Sequence, residues 1–160
     1  MKNLVAKFIF LFLSCFYLNS CKTYTDPLFY SNYETRAIAS ENSNVFILRV
    51  QGKGVSKDEA QKNAIRNAVR DVIFSDIHVN YSNHKPLMRL ITDPKEENKN
   101  ELFFSDFFSK GGDFQNFATI LKKNRDFYSD GSYYVVLADV RVNRGELKSY
   151  LINNGIIKYN

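Results

Sequence analysis

The residues with the most obvious metal chemistry fall in one stretch, DIHVNYSNH, which holds Asp76, His78 and His84. Imidazole and carboxylate groups bind zinc and related cations when three or four converge at set spacings. Here no histidine pair stands four apart on a helix, and no third strong ligand follows at a diagnostic distance. Solvated side chains near loops are expected, with no metal and no cofactor. A nucleophilic serine would need an elbow of the G-x-S-x-G type, which is missing. Carboxylates crowd between Asp93 and Glu101, but they read as a solvated helix start. No catalytic residues are expected.

The segment RVQGKGVSKDEAQKNAIRNAV, residues 49–69, joins an apolar run to a helical pattern through Gly52 and Gly54. A strand, a glycine turn and a helix N-terminus also compose the phosphate-binding devices of nucleotide enzymes. The Walker spacing fails because no glycine follows Gly52 or Gly54 at the required interval. The dinucleotide fingerprint fails because position 57 is lysine. Ser56 and Glu59 form a capping box that already uses free N–H groups, and Glu59 would repel a phosphate. Gly52 and Gly54 are therefore read as a structural turn in which the chain reverses from strand to helix.

Lys62, Arg66 and Arg70 recur at helical spacing, a row that suits anionic headgroups or, more simply, a solvated face diluted by Asn63, Asn67 and Asp71. Phe103, Phe104, Phe107 and Phe108 make an aromatic stripe that serves either a core or a partner surface.

The elements that must position these residues begin after a leader. Lys2 and Lys7 precede an apolar run from Phe8 to Tyr17, which is followed by Leu18-Asn19-Ser20-Cys21. A charged start, a short apolar middle and a small residue before the cut compose a secretory signal peptide. The run is too short to span a bilayer, which takes roughly 20 apolar residues. The ending resembles the lipobox of bacterial lipoproteins. That resemblance implies cleavage between Ser20 and Cys21 and acylation of Cys21; Cys15 would leave too short an apolar core. Several acyl chains together anchor a protein stably without spanning. Removing Lys2 and Lys7 lowers the formal charge of +5 by two, and export removes access to nucleic acid, so none is expected as a partner. Lys22 after the cysteine, by analogy with enteric bacteria, favours the outer membrane.

Residues 21–44 read as a lipidated tether, roughly 25 Å between its ends if coiled, with Phe29, Tyr30 and Ile38 suggesting that part of it lies along the domain. Residues 45–160 read as one domain. VFILRVQ is a strand, and a helix follows to about Phe74 with Ala60, Ala64 and Ala68 on its inner side. A short strand is expected near Ile77–Tyr81. An insert at about 80–116 carries a helix opened by Asp93-Pro94 and ended by Gly111-Gly112. Asp130-Gly131 turns a hairpin, and Asn143 with Glu146 opens a final helix that stops at Asn154-Gly155. The expected class is α+β, a two-layer domain in the order strand, helix, helical insert, hairpin, helix. Both faces of the last strand carry apolar residues. Tyr133, Val135 and Leu137 need a cover from the insert, the tether or another protein, so with Phe104 they are the expected partner surface.

VQGKGVSKDEAQKNAIRNAV, followed by DGSYYVVLADVRV and a short helix, resembles the small bacterial lipoprotein domain shared with the N-terminal part of flagellar assembly protein T. The resemblance covers about 45–152 and is weaker from Asn80 to Asn116. It implies a non-enzymatic envelope module that works within a larger assembly, through an envelope protein partner or self-association, and it supplies no catalytic residues. The alternatives are an envelope lipid or small-ligand binder, marked by a deep apolar cavity, and a membrane-associated hydrolase, marked by a convergent polar cleft.

Overall fold

The computed structural model describes residues 33–81 and 85–158; the leader, Ser20, Cys21 and His84 lie outside the described residues. Five strands form one sheet: β1 (Arg36–Asn42), β2 (Val45–Gly54), β3 (His78–Val79), β4 (Ala118–Asp130) and β5 (Tyr133–Asn143). The sheet order is β3-β1-β2-β5-β4, with β3 parallel to β1 and the other neighbours antiparallel. The helices among the described residues are α1 (Lys57–Phe74), α2 (Lys95–Lys99), α3 (Glu101–Phe107) and α4 (Arg144–Asn153), with a 3-10 turn at Asp113–Phe117. The fold is α+β.

Alternation along the two central strands divides the sheet into two faces. Leu48 and Val50 of β2 and Val136, Ala138, Val140 and Val142 of β5 point to the side that α1 covers, where they join Ala60, Ala64, Ala68, Val69, Val72 and Ile73 in one core. The insert adds Phe104, Phe107, Phe108, Phe114 and Phe117 to that same core. Their rings meet edge to face or stacked, as Phe74 and Phe104 do at 5.1 Å between centroids. Leu147 and Leu151 of α4 complete it.

Three expectations change. The tether was expected to reach residue 44, but β1 occupies Arg36–Asn42 and pairs with β2 from Arg36↔Arg49 to Asn42↔Val45. Its polar composition disguised it, because only Ala37 faces the core closely enough to be fully buried. The insert helix is broken at Asn100 into α2 and α3. The glycines, finally, do not make the turn. Gly52 and Gly54 are residues of β2, neither has a positive φ, and the reversal falls at Val55-Ser56. A Cβ on Gly52 would stand 2.1 Å from the Ala60 carbonyl oxygen and 2.4 Å from the Ala64 nitrogen; one on Gly54 would stand 2.6 Å from the Ala60 nitrogen. Absent side chains on the strand and alanines on the helix let the two backbones touch.

The cap on α1 is as expected. The Glu59 N–H donates to Ser56 Oγ at 3.1 Å, and Glu59 Oε2 accepts from the Val55 N–H at 2.9 Å. The Asp130-Gly131 hairpin turn, with Gly131 at φ +61°, and the α4 stop, with Gly155 at φ +73°, also form where the spacing placed them.

Candidate functional site

The second face of the sheet carries no helix among the described residues, and its own side chains roof it. Along β2, Arg49, Gln51 and Lys53 point to this side at every second position, opposite Asp139, Leu137 and Val135 of β5. Arg49 grips Asp139 with two nitrogens, the second at 3.1 Å. Asp139 is only 1% exposed although no helix lies above it, because the guanidinium covers it. The hydrogen bonds to Asp139 hold Arg49 above the ordinary arginine range.

Three further pairs skip a strand. Arg141 of β5 reaches over β2 to both oxygens of Glu41 at 2.8–3.0 Å. Lys53 reaches over β5 to Asp130 at 2.6 Å, and its ammonium stands 4.7 Å from the centre of the Tyr133 ring. Gln51 donates to the Tyr128 hydroxyl across the same strand. The hydrogen bonds between Arg141 and Glu41 lower the carboxyl and raise the guanidinium.

This network answers what covers Tyr133, Val135 and Leu137. Neither the insert nor another protein is required: Val135 is 2% exposed beneath the Lys53, Gln51 and Tyr128 side chains. Phe104, at 4% exposure, lies in the core. Val135 and Phe104 drop out of the expected partner surface, since a buried ring or valine presents nothing to a partner. Tyr133 and Leu137 remain half-buried, and Tyr128 is the exposed aromatic of this face. The strand-skipping pairs join residues whose separation in sequence reaches 100 positions. The every-second-residue row Arg49, Gln51, Lys53 was the available signal; the partners depend on register.

The other candidates disperse. Asp76 is held by Arg89 at 2.8 Å, and His78 stands 3.4 Å from Glu34 at the sheet edge. No group of three or more histidine, cysteine or acidic residues that could hold a metal occurs among the described residues. The basic row does not face solvent as a row. Arg66 is buried against Phe114, and Arg70 pairs with Glu97 at 2.5 Å while stacking on Phe74 and Phe108. Only Lys62 of the row is exposed. Asn63 and Asn67, expected in water, are buried and donate to the carbonyls of Lys53 and Gln51 at 2.7 and 2.9 Å. Among the described residues β1 pairs β2 only as far as Arg49, so beyond that point these amides serve an edge that no described strand satisfies.

At the far end of the sheet a shallow groove of about 910 Å³ runs between the β1–β2 turn and α4. Its asparagines are partly committed: Asn42 Oδ1 accepts from the Asn44 N–H and Asn143 Oδ1 from the Glu146 N–H. The groove is open and mixed in character, without the deep apolar walls of a ligand cavity.

Fold and site together define an α+β domain with one helix-covered sheet face and one face of cross-strand polar pairs. No family model matches the chain, and neither a curated protein nor a solved structure matches it.

Proposed function

We propose that this protein is a lipid-anchored cell-envelope lipoprotein whose domain serves as a non-enzymatic binding or structural module of a larger envelope assembly. The observation that carries the reading is Leu18-Asn19-Ser20-Cys21 behind a charged and apolar leader, which marks Cys21 for acylation. The resemblance of the glycine strand, alanine helix and hairpin to the lipoprotein domain shared with flagellar assembly protein T favours the same class. A partner, whether an envelope protein or a second copy, meets the bare face, where Tyr128, Tyr133 and Gln51 stand among charges that are already paired. Such a face is flat and held in place by its own pairs, so little side-chain freedom is lost when a partner binds. The outer membrane is the proposed site of anchorage.

The test has two parts. Cys21→Ala is expected to release the protein from the membrane fraction and to abolish acylation in the intact mass; normal retention of that variant refutes the anchor. Photoreactive residues at Tyr128 and Tyr133 in intact cells are expected to capture one recurrent envelope protein or the chain itself. Lipid or small-molecule adducts alone would overturn the assembly reading.

A further inference from the structure

The described part of the chain fixes a direction. β1 runs from Arg36, level with Arg49 of β2, away to Asn42 at the groove end, so the chain arrives from the side on which β2 continues to Gly54. That side ends in the β2–α1 turn and the β4–β5 hairpin. There Val55 is 63% exposed and Tyr134 38%, and Tyr134 pairs with Gly54, the neighbour of Val55. Of the other exposed large apolar side chains among the described residues, Leu102 and Met88 stand singly in the insert, Tyr128 lies on the opposite sheet face, and Tyr33 and Tyr81 lie away from this end.

A cation attends the same crest. Lys57 stands 5.5 Å from the Phe127 ring and 6.0 Å from that of Tyr134. Tyrosines with a polar hydroxyl and an apolar ring, flanked by long basic side chains, are the residues that settle at a membrane–water interface.

The chain's length permits the contact. Cys21 precedes Tyr33 by 12 residues, which span about 19 Å as a coil and at most about 40 Å extended. From the level of Arg49 to Gly54 the sheet advances by five residues, about 17 Å. The groove end lies a comparable distance in the opposite direction.

We infer that the crest formed by Val55 and Tyr134 rests in the headgroup layer of the membrane that holds acylated Cys21, leaving the groove end directed away from it. The inference rests on the acylation proposed above. Charges at the crest, Lys53, Lys57 and Lys62 against Asp58, Glu59 and Asp130, balance, so the contact depends on Tyr134 and Val55 more than on anionic lipid. High salt leaves it in place.

The full-length protein, purified from membranes, is labelled with an environment-sensitive fluorophore at Ser132→Cys on the hairpin or at Ser43→Cys at the groove end; both serines are exposed. Each is reconstituted into vesicles of phosphatidylethanolamine and phosphatidylglycerol containing headgroup spin-labelled lipid. Quenching several-fold stronger at position 132 than at 43, reduced by Val55→Asp with Tyr134→Ser, is expected. Equal quenching, none at either position, or the reverse order overturns the orientation. The intact mass of the same sample reports the acyl chains: unacylated protein removes the anchor and this inference with it, whereas acylated protein with the wrong quenching pattern refutes the orientation alone.

Discussion

Replacing Gly52 with alanine separates two explanations of the glycine stretch. If Gly52 served a flexible turn at ordinary φ, alanine would stabilise the fold by about 0.4–1 kcal/mol by narrowing the unfolded ensemble. The structure requires the opposite. A Cβ there would lie 2.1 Å from the Ala60 oxygen, where ordinary contacts begin at 3.4 Å, and both atoms belong to rigid backbone. α1 must retreat by roughly 1 Å, a gap that forfeits a quarter to a half of the dispersion along the contact. Overpacking of this kind costs about 1–3 kcal/mol. The same movement stretches the bonds from Asn63 and Asn67 to β2, now 2.7 and 2.9 Å, at about 0.5–1.5 kcal/mol each. The expected loss is about 2–6 kcal/mol, a large part of the stability of a domain this size, which is typically about 5–15 kcal/mol. Urea denaturation followed by far-ultraviolet circular dichroism measures it, with Ser132→Ala on the exposed hairpin as control. A loss below about 1 kcal/mol, or any gain, refutes the close-approach argument.

Three further outcomes are expected. Asn67→Ala leaves the Gln51 carbonyl without its partner and should lower stability by about 1–3 kcal/mol at unchanged denaturant slope; an effect within about 0.5 kcal/mol would show that water replaces the amide. Asp76 accepts two side-chain bonds and one backbone bond from Arg89, which lower its carboxyl to about 2. Its stabilising contribution is present above the ordinary aspartate range and is lost as pH falls through about 2, so Asp76→Asn should flatten the acid limb of the stability profile, and an NMR titration near the ordinary value would contradict the pairing. The Tyr150 hydroxyl donates to Asp113 at 2.6 Å, and its ionisation is pushed up to about 12; ultraviolet titration of Tyr150→Phe should lack the last tyrosinate component.

The strand, helix and hairpin of the domain were legible because each has a local cause. Ser56 and Glu59 cap α1, Gly131 takes the positive φ of the hairpin, and the alternation of Val136, Ala138, Val140 and Val142 marks a buried face. Strand β1 was not legible, since an edge-side strand with one fully buried residue has no apolar pattern to read. The proposed anchor rests on sequence alone, because Leu18 to Cys21 would be read as a linear segment before folding.

What the sequence by itself determined is therefore the local chemistry: caps, turns and strand alternation. Only the tertiary structure decided that Gly52 and Gly54 serve helix contact, that Asn63 and Asn67 finish a strand edge, and that Val135 is hidden beneath Lys53, Gln51 and Tyr128. Each of those outcomes depends on groups brought together by strand register or by the lie of α1 on the sheet. Nearest-neighbour propensity carries no record of distance across a fold, so these contacts exist only once the layers have packed.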